Sequence, residues 1–364
     1  VKNESAALEV RALADKVSAW LAGGGPQSDV VLSSRIRLAR NLREVPFPQR
    51  ASDVERGKVF ERVVDAARGA DSLARAFVWN VDALAAAERR LLVERHLVSP
   101  NLLQGEGARG VLVRGDEKLG VMVNEEDHLR IQSVTSGLDL EGALRPAVAL
   151  DRELETRLEF AANRERGYLT ACPTNVGTGL RASVLVHLPA LVLVGEIKKM
   201  HRAVNELGMT VRGWFGEGST VLGDYYQLSN QKTLGKTESE SCQELLRVTK
   251  RTLELEEEAR KRFRDSAATM RRVEDRIWRA WGTLRNARLL SVEQVMACAS
   301  DLRLGRALGI FEGASSETLN RMNLFAQPAH LRQRVGGKWD ADQENWERAR
   351  WIRGELEESG PSRN

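Results

Sequence analysis

Near residue 240 the chain changes its period. From Val31 to Asn230 apolar residues alternate in short runs broken by Gly, Pro, Asn and Asp. From Glu240 to Arg288 the pattern is helical, dense in Glu and Arg and free of proline. A period of two marks strands with one face in a core, and a period near 3.6 marks helices. The sequence therefore predicts an α+β front part and an all-α back part. The division is placed near residue 255, inside or at the end of a long helix, giving units 1–255 and 256–364. With 364 residues, 42% of them hydrophobic, both parts can bury a core.

Within the front part, residues 4–22 carry helical spacing that stops at Gly23-Gly24-Gly25-Pro26, and "VVLSSRIRLARNL" alternates as a strand from Val31 to Leu38. Residues 52–69, 82–96 and 139–163 read as amphipathic helices. "RGVLVRGDEKLGVMVN" reads as a hairpin turning at Gly115-Asp116, with "NEEDH" at the far end of its second strand. "LRASVLVHLPALVLVG" is β-rich, "GEIKKMHRAVNELG" is a helix closed by Gly208, and "TVRGWFGEGSTVLGDYYQLSN" is two strands around a Gly-rich loop. Short helices follow at 292–309, 315–325 and 340–358, separated by "GIFEG" and "QPAH".

Charge and cysteine usage exclude several classes. A net charge of +4 suits contact with phosphates but does not mark a nucleic-acid binder. Cys172, Cys242 and Cys298 are few and far apart, without the spacing of a disulfide framework or a zinc site. No secretory signal is visible, and the longest apolar run, Val184 to Val194, is too short for a bilayer. The expectation is a soluble cytoplasmic protein.

Four stretches carry chemistry. In "SSRIRLAR", a strand would put Arg35 and Arg37 on one face, where a polyphosphate would satisfy both forks; an exposed basic edge is the plainer reading. "CPTNVGTG" is a Gly-containing turn but not a Walker A loop. Its Cys172 is either a thiolate favoured by arginines or an inert buried thiol. "GWFGEGST" sets Glu217 between glycines, as a mobile loop that closes a carboxylate over substrate or as an ordinary hairpin tip. In "NEEDH", strand alternation would send Glu126 to one face and Glu125 and Asp127 to the other, unless the strand ends there; His128 is read as a structural histidine.

Together and in this order, "SSRIRLAR", "NEEDHLR", "CPTNVGTGLRASV" and "RGWFGEGS" resemble the guanidino kinase superfamily, which includes arginine and creatine kinases. The resemblance runs from about residue 30 to 240 and is closer to the bacterial protein arginine kinases of the McsB type. Only about 30 residues precede the first motif, leaving no room for the helical N-terminal domain of the small-guanidine kinases, and about a hundred helical residues follow the kinase part. The implied fold is an antiparallel sheet flanked by helices, followed by a helical dimerisation and regulatory domain.

The resemblance also implies roles. Glu126 and Glu217 match the carboxylates that clamp and deprotonate the acceptor guanidinium, and Cys172 matches the reactive cysteine beside it. Arg35, Arg37, Arg130, Arg181 and Arg212 match the phosphate-binding arginines, and His96 matches a histidine near the adenine. A second nucleotide histidine is replaced by Leu185. ATP is the donor, and Mg2+ rides on its phosphates without a protein metal site. The implied acceptors are arginines in proteins, with an activator protein, a Clp-type chaperone-protease and a homodimer as partners, and neither membrane nor nucleic acid. In the C-terminal part Glu344 and Asn345 stand where the family has an Arg-Asp pair ahead of Arg348-Ala349, so an interface helix is expected there rather than a phosphoarginine pocket. Two other readings stay open: a kinase for free arginine or another small guanidino compound, and a degenerate helical interaction or nucleic-acid-binding protein.

Overall fold

The computed structural model describes residues 2–214, 221–337 and 339–359. The two-part architecture expected from the change of period is present: an antiparallel sheet flanked by helices, then a helical layer. Helix α1 (Lys2–Ala12) opens the chain, and strand β1 (Val31–Arg40) follows. Helix α2 (Asp53–Arg68) starts in a capping box, Ser52 and Glu55 each bonding the other's backbone N–H. Then come β2 (Phe77–Asn80), α3 (Ala86–Glu94), α4 (Pro100–Gln104), β3 (Gly110–Val113), β4 (Leu119–Val123) and β5 (Leu129–Ser136). Helix α5 (Leu140–Glu155) leads to a small hairpin, β6 (Ala162–Asn163) and β7 (Gly167–Tyr168). Strand β8 (Leu180–His187), helices α6 (Pro189–Leu193) and α7 (Ile197–Glu206), and strands β9 (Met209–Arg212) and β10 (Tyr225–Asn230) complete the front part.

Eight strands form one sheet in the order β2-β3-β4-β5-β1-β8-β10-β9, every pair antiparallel. Its helix-covered face buries Ile36, Leu38, Ile131, Val184 and Leu228 with Ala143, Ala147 and Leu150 of α5. That burial is the main driving force of the domain and leaves the other face to carry charge.

The back part consists of α8 (Glu238–Arg264), α9 (Ala267–Asn286), α10 (Val292–Ala307), α11 (Ser316–Phe325), α12 (Pro328–Val335) and α13 (Ala341–Ser359). The helical run from 240 to 288 is broken at Ser266, whose hydroxyl caps α9 by accepting from Thr269 N. "QPAH", read as a separator, begins helix α12 with Pro328 in its first turn, where the missing N–H costs nothing. The first helix also differs from expectation. It stops at Ala12 instead of residue 22, because Trp20 and Leu21 leave the helical path to pack with Leu32 and Val134. Helices predicted over 82–96 and 139–163 end at Glu94 and Glu155.

A buried polar knot joins the two parts. The Glu94 carboxylate accepts from Ala329 N and His330 N at the start of α12, and from His330 Nδ1 at 3.0 Å. The neighbouring Arg95 donates to Glu117 at 2.8 and 2.6 Å and to Lys16 O at 2.8 Å. An anion at a helix N-terminus meets both the dipole and the unpaired N–H groups. The helical layer is therefore tied to the residue pair immediately before His96.

Candidate active site

Strand pairing brings together arginines that lie far apart in sequence. Arg37 on β1 stands opposite Arg181 on β8 and Gln132 on β5, while Arg35 faces Ser183 and Val134. Arg130 pairs with Ala39, two residues from Arg37, and Arg212 on β9 faces Gln227, which in turn faces Leu185. Directly opposed residues of an antiparallel pair point the same way. All five arginines therefore project from the face opposite the helix-covered one. With His96, Cys172 and Glu126 they line a single cavity of about 340 Å3.

The crowding of cations is visible in their acidity. Desolvation, then Arg181, lowers the Arg35 pKa to about 10. Desolvation, then Arg35, Arg130 and Arg181, holds Arg37 well below its ordinary value, only partly opposed by Glu125. Arg37 Nε is a buried donor without an acceptor among the described residues. Such an array fits a polyanion, whose oxygens would accept these donors and offset the repulsion.

His96 adopts a left-handed backbone (φ 58°) just beyond α3, and its carbonyl accepts from Gln132 Nε2 at 2.8 Å. Its ring meets Trp20 and Trp214 edge-on, centroids 5.2 and 5.7 Å away. Those rings, Val134 and Leu185 line a small apolar recess that continues from the arginine floor. Burial, then Arg35 and Arg37, holds the His96 pKa down to about 3. The ring is thus neutral at working pH. Because the unfolded chain protonates near pH 6.5, this contribution to stability is full above pH 6.5 and is lost as pH falls from 6.5 toward 3. Urea unfolding at pH 7.5 and pH 5 should show the wild type losing ground to His96→Leu at the lower pH. An equal difference at both pH values would contradict a neutral His96.

The carboxylate triplet is not in a strand. β4 ends at Val123, and Asn124 to His128 form a hairpin loop, Asn124 in the left-handed region (φ 58°) with its N–H on His128 O. Alternation therefore does not apply, and the three side chains divide by partner. Glu125 pairs with Arg130 and accepts from Ser99 Oγ. Glu126 pairs with Arg130 at the cavity edge. Asp127 is fully buried, accepting from Asn41 Nδ2 and Ala171 N at 2.8 Å each, and so locks the loop to the residue before Cys172. Three carboxylates around Arg130 outweigh its desolvation and raise its pKa. His128 is structural, as read from the sequence: Nδ1 accepts from Leu42 N at 3.0 Å, and Nε2 lies 2.9 Å from Pro46 O.

Cys172 sits half-buried at the cavity rim, Sγ 3.0 Å from Thr174 Oγ1. The turn that follows is held by Arg40, which is buried with its guanidinium on Asp151 Oδ2 (2.7 Å) and Thr178 O (2.9 Å). Gly179 (φ +66°) closes the turn where a Cβ would come within 2.6 Å of Ala39 O. Glu217 lies outside the described residues. Arg212 and Trp214, just before it, line the cavity and its recess. Asn41, Ser99 and Gln132 were not singled out as site residues from the sequence. Asn41 directly follows "SSRIRLAR", which was the available signal for it.

Known proteins resemble this chain over both of its parts. Residues 58–259 match the ATP:guanido phosphotransferase C-terminal catalytic domain, and residues 270–364 match the protein-arginine kinase McsB C-terminal domain. The protein-arginine kinase of Bacillus subtilis (strain 168) is 41% identical over 344 residues, covering 94% of both chains. That of Halothermothrix orenii is 43% identical over 340 residues, covering 93% of this chain and 97% of its own. The chain belongs to the protein-arginine kinase family of ATP:guanido phosphotransferases. Among solved structures, lombricine kinase is similar at TM-score 0.56 and 28% identity, over 67% of this chain and 70% of that one. A duplicated taurocyamine kinase from Schistosoma mansoni, with bound transition state analog components, gives TM-score 0.60 and 25% identity over 67% of this chain and 35% of that one, so the match spans about a third of that longer chain.

In this family member the C-terminal Arg348 is buried, and its donors are consumed internally. They go to Glu344 (2.6 Å), Asn345 (2.7 Å), Leu290 O (2.9 Å) and Ala326 O (2.7 Å). Glu344 supplies the anion here.

Proposed function

We propose that the chain transfers the γ-phosphoryl group of ATP to the guanidinium of arginine residues in proteins. The observation that carries this is the shared cavity, in which five arginines of one sheet face lie against a carboxylate loop and Cys172. Arg35, Arg37, Arg130, Arg181 and Arg212 hold the phosphates, with the base toward His96 and the apolar recess at Leu185. Mg2+ on the phosphates adds charge neutralisation.

A guanidinium is protonated and a poor nucleophile, so it needs alignment and a base. Glu126, with Glu217 from the Gly-flanked stretch of sequence, grips it bidentately, and Cys172 lies beside them. One nitrogen attacks the γ-phosphorus. The N–P bond forms as the bond to the bridging β–γ oxygen breaks, ADP departs, and the displaced proton goes to Glu126. In the free protein Glu126 and Arg130 neutralise one another. Substrate and nucleotide would exchange that pair for two others, guanidinium on Glu126 and phosphate on Arg130.

Residues 1–255 form the phosphotransferase unit in this reading, and 256–364 the regulatory unit that joins two copies. A homodimer through this unit is carried by the family resemblance. A cytoplasmic location, an activator protein and a Clp-type chaperone-protease are carried by the family resemblance. Among the described residues, no helix is long and apolar enough to cross a membrane.

Incubation with Mg-ATP and an unfolded basic protein should leave an acid-labile phosphate on arginine, while free arginine turns over far more slowly in a coupled ADP assay. ADP release without phosphoprotein would reject the reading. Faster turnover of free arginine would favour a small-guanidine kinase.

A further inference from the structure

A second concavity opens on the same carboxylate. It is an open groove of about 800 Å3 walled by Val45, Pro46, Phe47, Gln49 and Arg50 around Glu126. Glu126 also lines the arginine cavity, so it stands where the two meet. An acceptor that must reach Glu126 without displacing nucleotide has this groove as its approach.

The groove wall is braced from below and open above. Its backbone is fixed by His128, whose Nδ1 accepts from Leu42 N and whose Nε2 is on Pro46 O, and by Arg56, which donates to Pro48 O at 2.9 Å. Gln49 Nε2 donates to the Glu126 carbonyl at 2.7 Å, which ties the wall to the backbone of the carboxylate loop. The side chains that face outward are chemically mixed. Val45 and Phe47 are half-buried, while Arg50 is exposed and makes no ion pair or side-chain hydrogen bond among the described residues. Many other surface arginines of this chain sit on a carboxylate, such as Arg43 on Glu159 and Arg68 on Asp65. Arg50 is one residue beyond Gln49, which touches the Glu126 backbone. Arg50 and Glu126 line the same groove, and successive residues of an extended peptide advance about 3.3 Å, so the neighbours of an arginine held on Glu126 would run along the wall that carries Arg50.

We propose that this groove receives the polypeptide flanking the acceptor arginine, and that Arg50 selects acceptors with an acidic residue within two positions of it. The inference rests on the protein-arginine kinase reading and adds a sequence preference to it. The charges are complementary: the acceptor guanidinium goes to Glu126, and the neighbouring carboxylate goes to Arg50. Val45 and Phe47 support the stem of the chain between them. A groove-edge charge acts mainly on encounter and register, so the expected effect is on kcat/KM for the peptide, not on ATP.

The test compares nine-residue peptides that carry one arginine flanked by aspartate, asparagine or lysine, with wild type and Arg50→Glu. An unfolded protein and ATP titration serve as controls. Wild type should prefer the aspartate peptide over the lysine peptide by about tenfold in kcat/KM. Arg50→Glu should reverse that order with an unchanged KM for ATP. Wild type that phosphorylates the unfolded protein yet treats all three peptides alike would overturn the groove assignment and leave the kinase reading intact. The same peptide order in Arg50→Glu as in wild type would do likewise. Wild type that phosphorylates neither peptides nor protein would overturn both.

Discussion

Arg37→Met should melt higher than the wild type and turn over at least about a thousandfold more slowly. The two halves of that result have one cause. Arg37 is hemmed in by Arg35, Arg130 and Arg181, and desolvation together with those charges pushes its pKa far down. Its Nε lacks an acceptor among the described residues. In the free protein the guanidinium is therefore a cost, and a methionine of similar length, which packs against its neighbours without charge, should recover about 1 kcal/mol. With nucleotide bound the sign reverses. The same fork then meets phosphate oxygens, and arginines that stabilise a transferring phosphoryl group are worth about 10³ or more in kcat. Thermal melting with and without Mg-ATP separates the halves: the variant should start higher and gain less from the nucleotide. A variant that melts lower than wild type and still turns over at half its rate would contradict both. Strain held at a functional site and relieved by ligand is a general trade of stability for activity.

The arginine site illustrates what a sequence can and cannot reveal. Arg35 and Arg37 share a strand, so their common face follows from the period alone. That Arg181 lies opposite Arg37, and Arg130 opposite Ala39, depends on the pairing register, which no local pattern encodes. The motif resemblance supplied those residues instead. The carboxylate triplet misled for the opposite reason. Its flanks alternate so well that the strand pattern carries through it, yet Asn124 takes a left-handed turn at its start. Once the stretch is a loop, Asp127 can turn inward to Asn41 and Ala171 while Glu126 faces the cavity. Helix α12 was missed because a short segment between Pro328 and Gly336 resembles a linker. What makes it a helix is a tertiary partner, the Glu94 carboxylate at its N-terminus.

Glu126→Gln should lower kcat by about 10³ while binding ATP at least as tightly as the wild type. The amide keeps the side chain's size and leaves the Glu126 carbonyl free to accept from Gln49, so the groove wall is undisturbed. Two things change. The acceptor guanidinium loses an anionic partner and the base for its proton, which acts on the chemical step. Arg130 loses one of the three carboxylates that surround it, the other two being Glu125 and Asp127, so it is freer to turn to phosphate. The expected signature is thus opposed shifts, lower kcat with equal or lower Kd for Mg-ATP. A purely structural role would weaken both together. Nucleotide titration followed by tryptophan fluorescence reads the Kd, since Trp20 and Trp214 line the recess beside His96, and single-turnover phosphorylation of an unfolded protein reads the chemistry. Turnover within about threefold of wild type would remove Glu126 from the role of base. The base would then have to be sought in Glu217 alone.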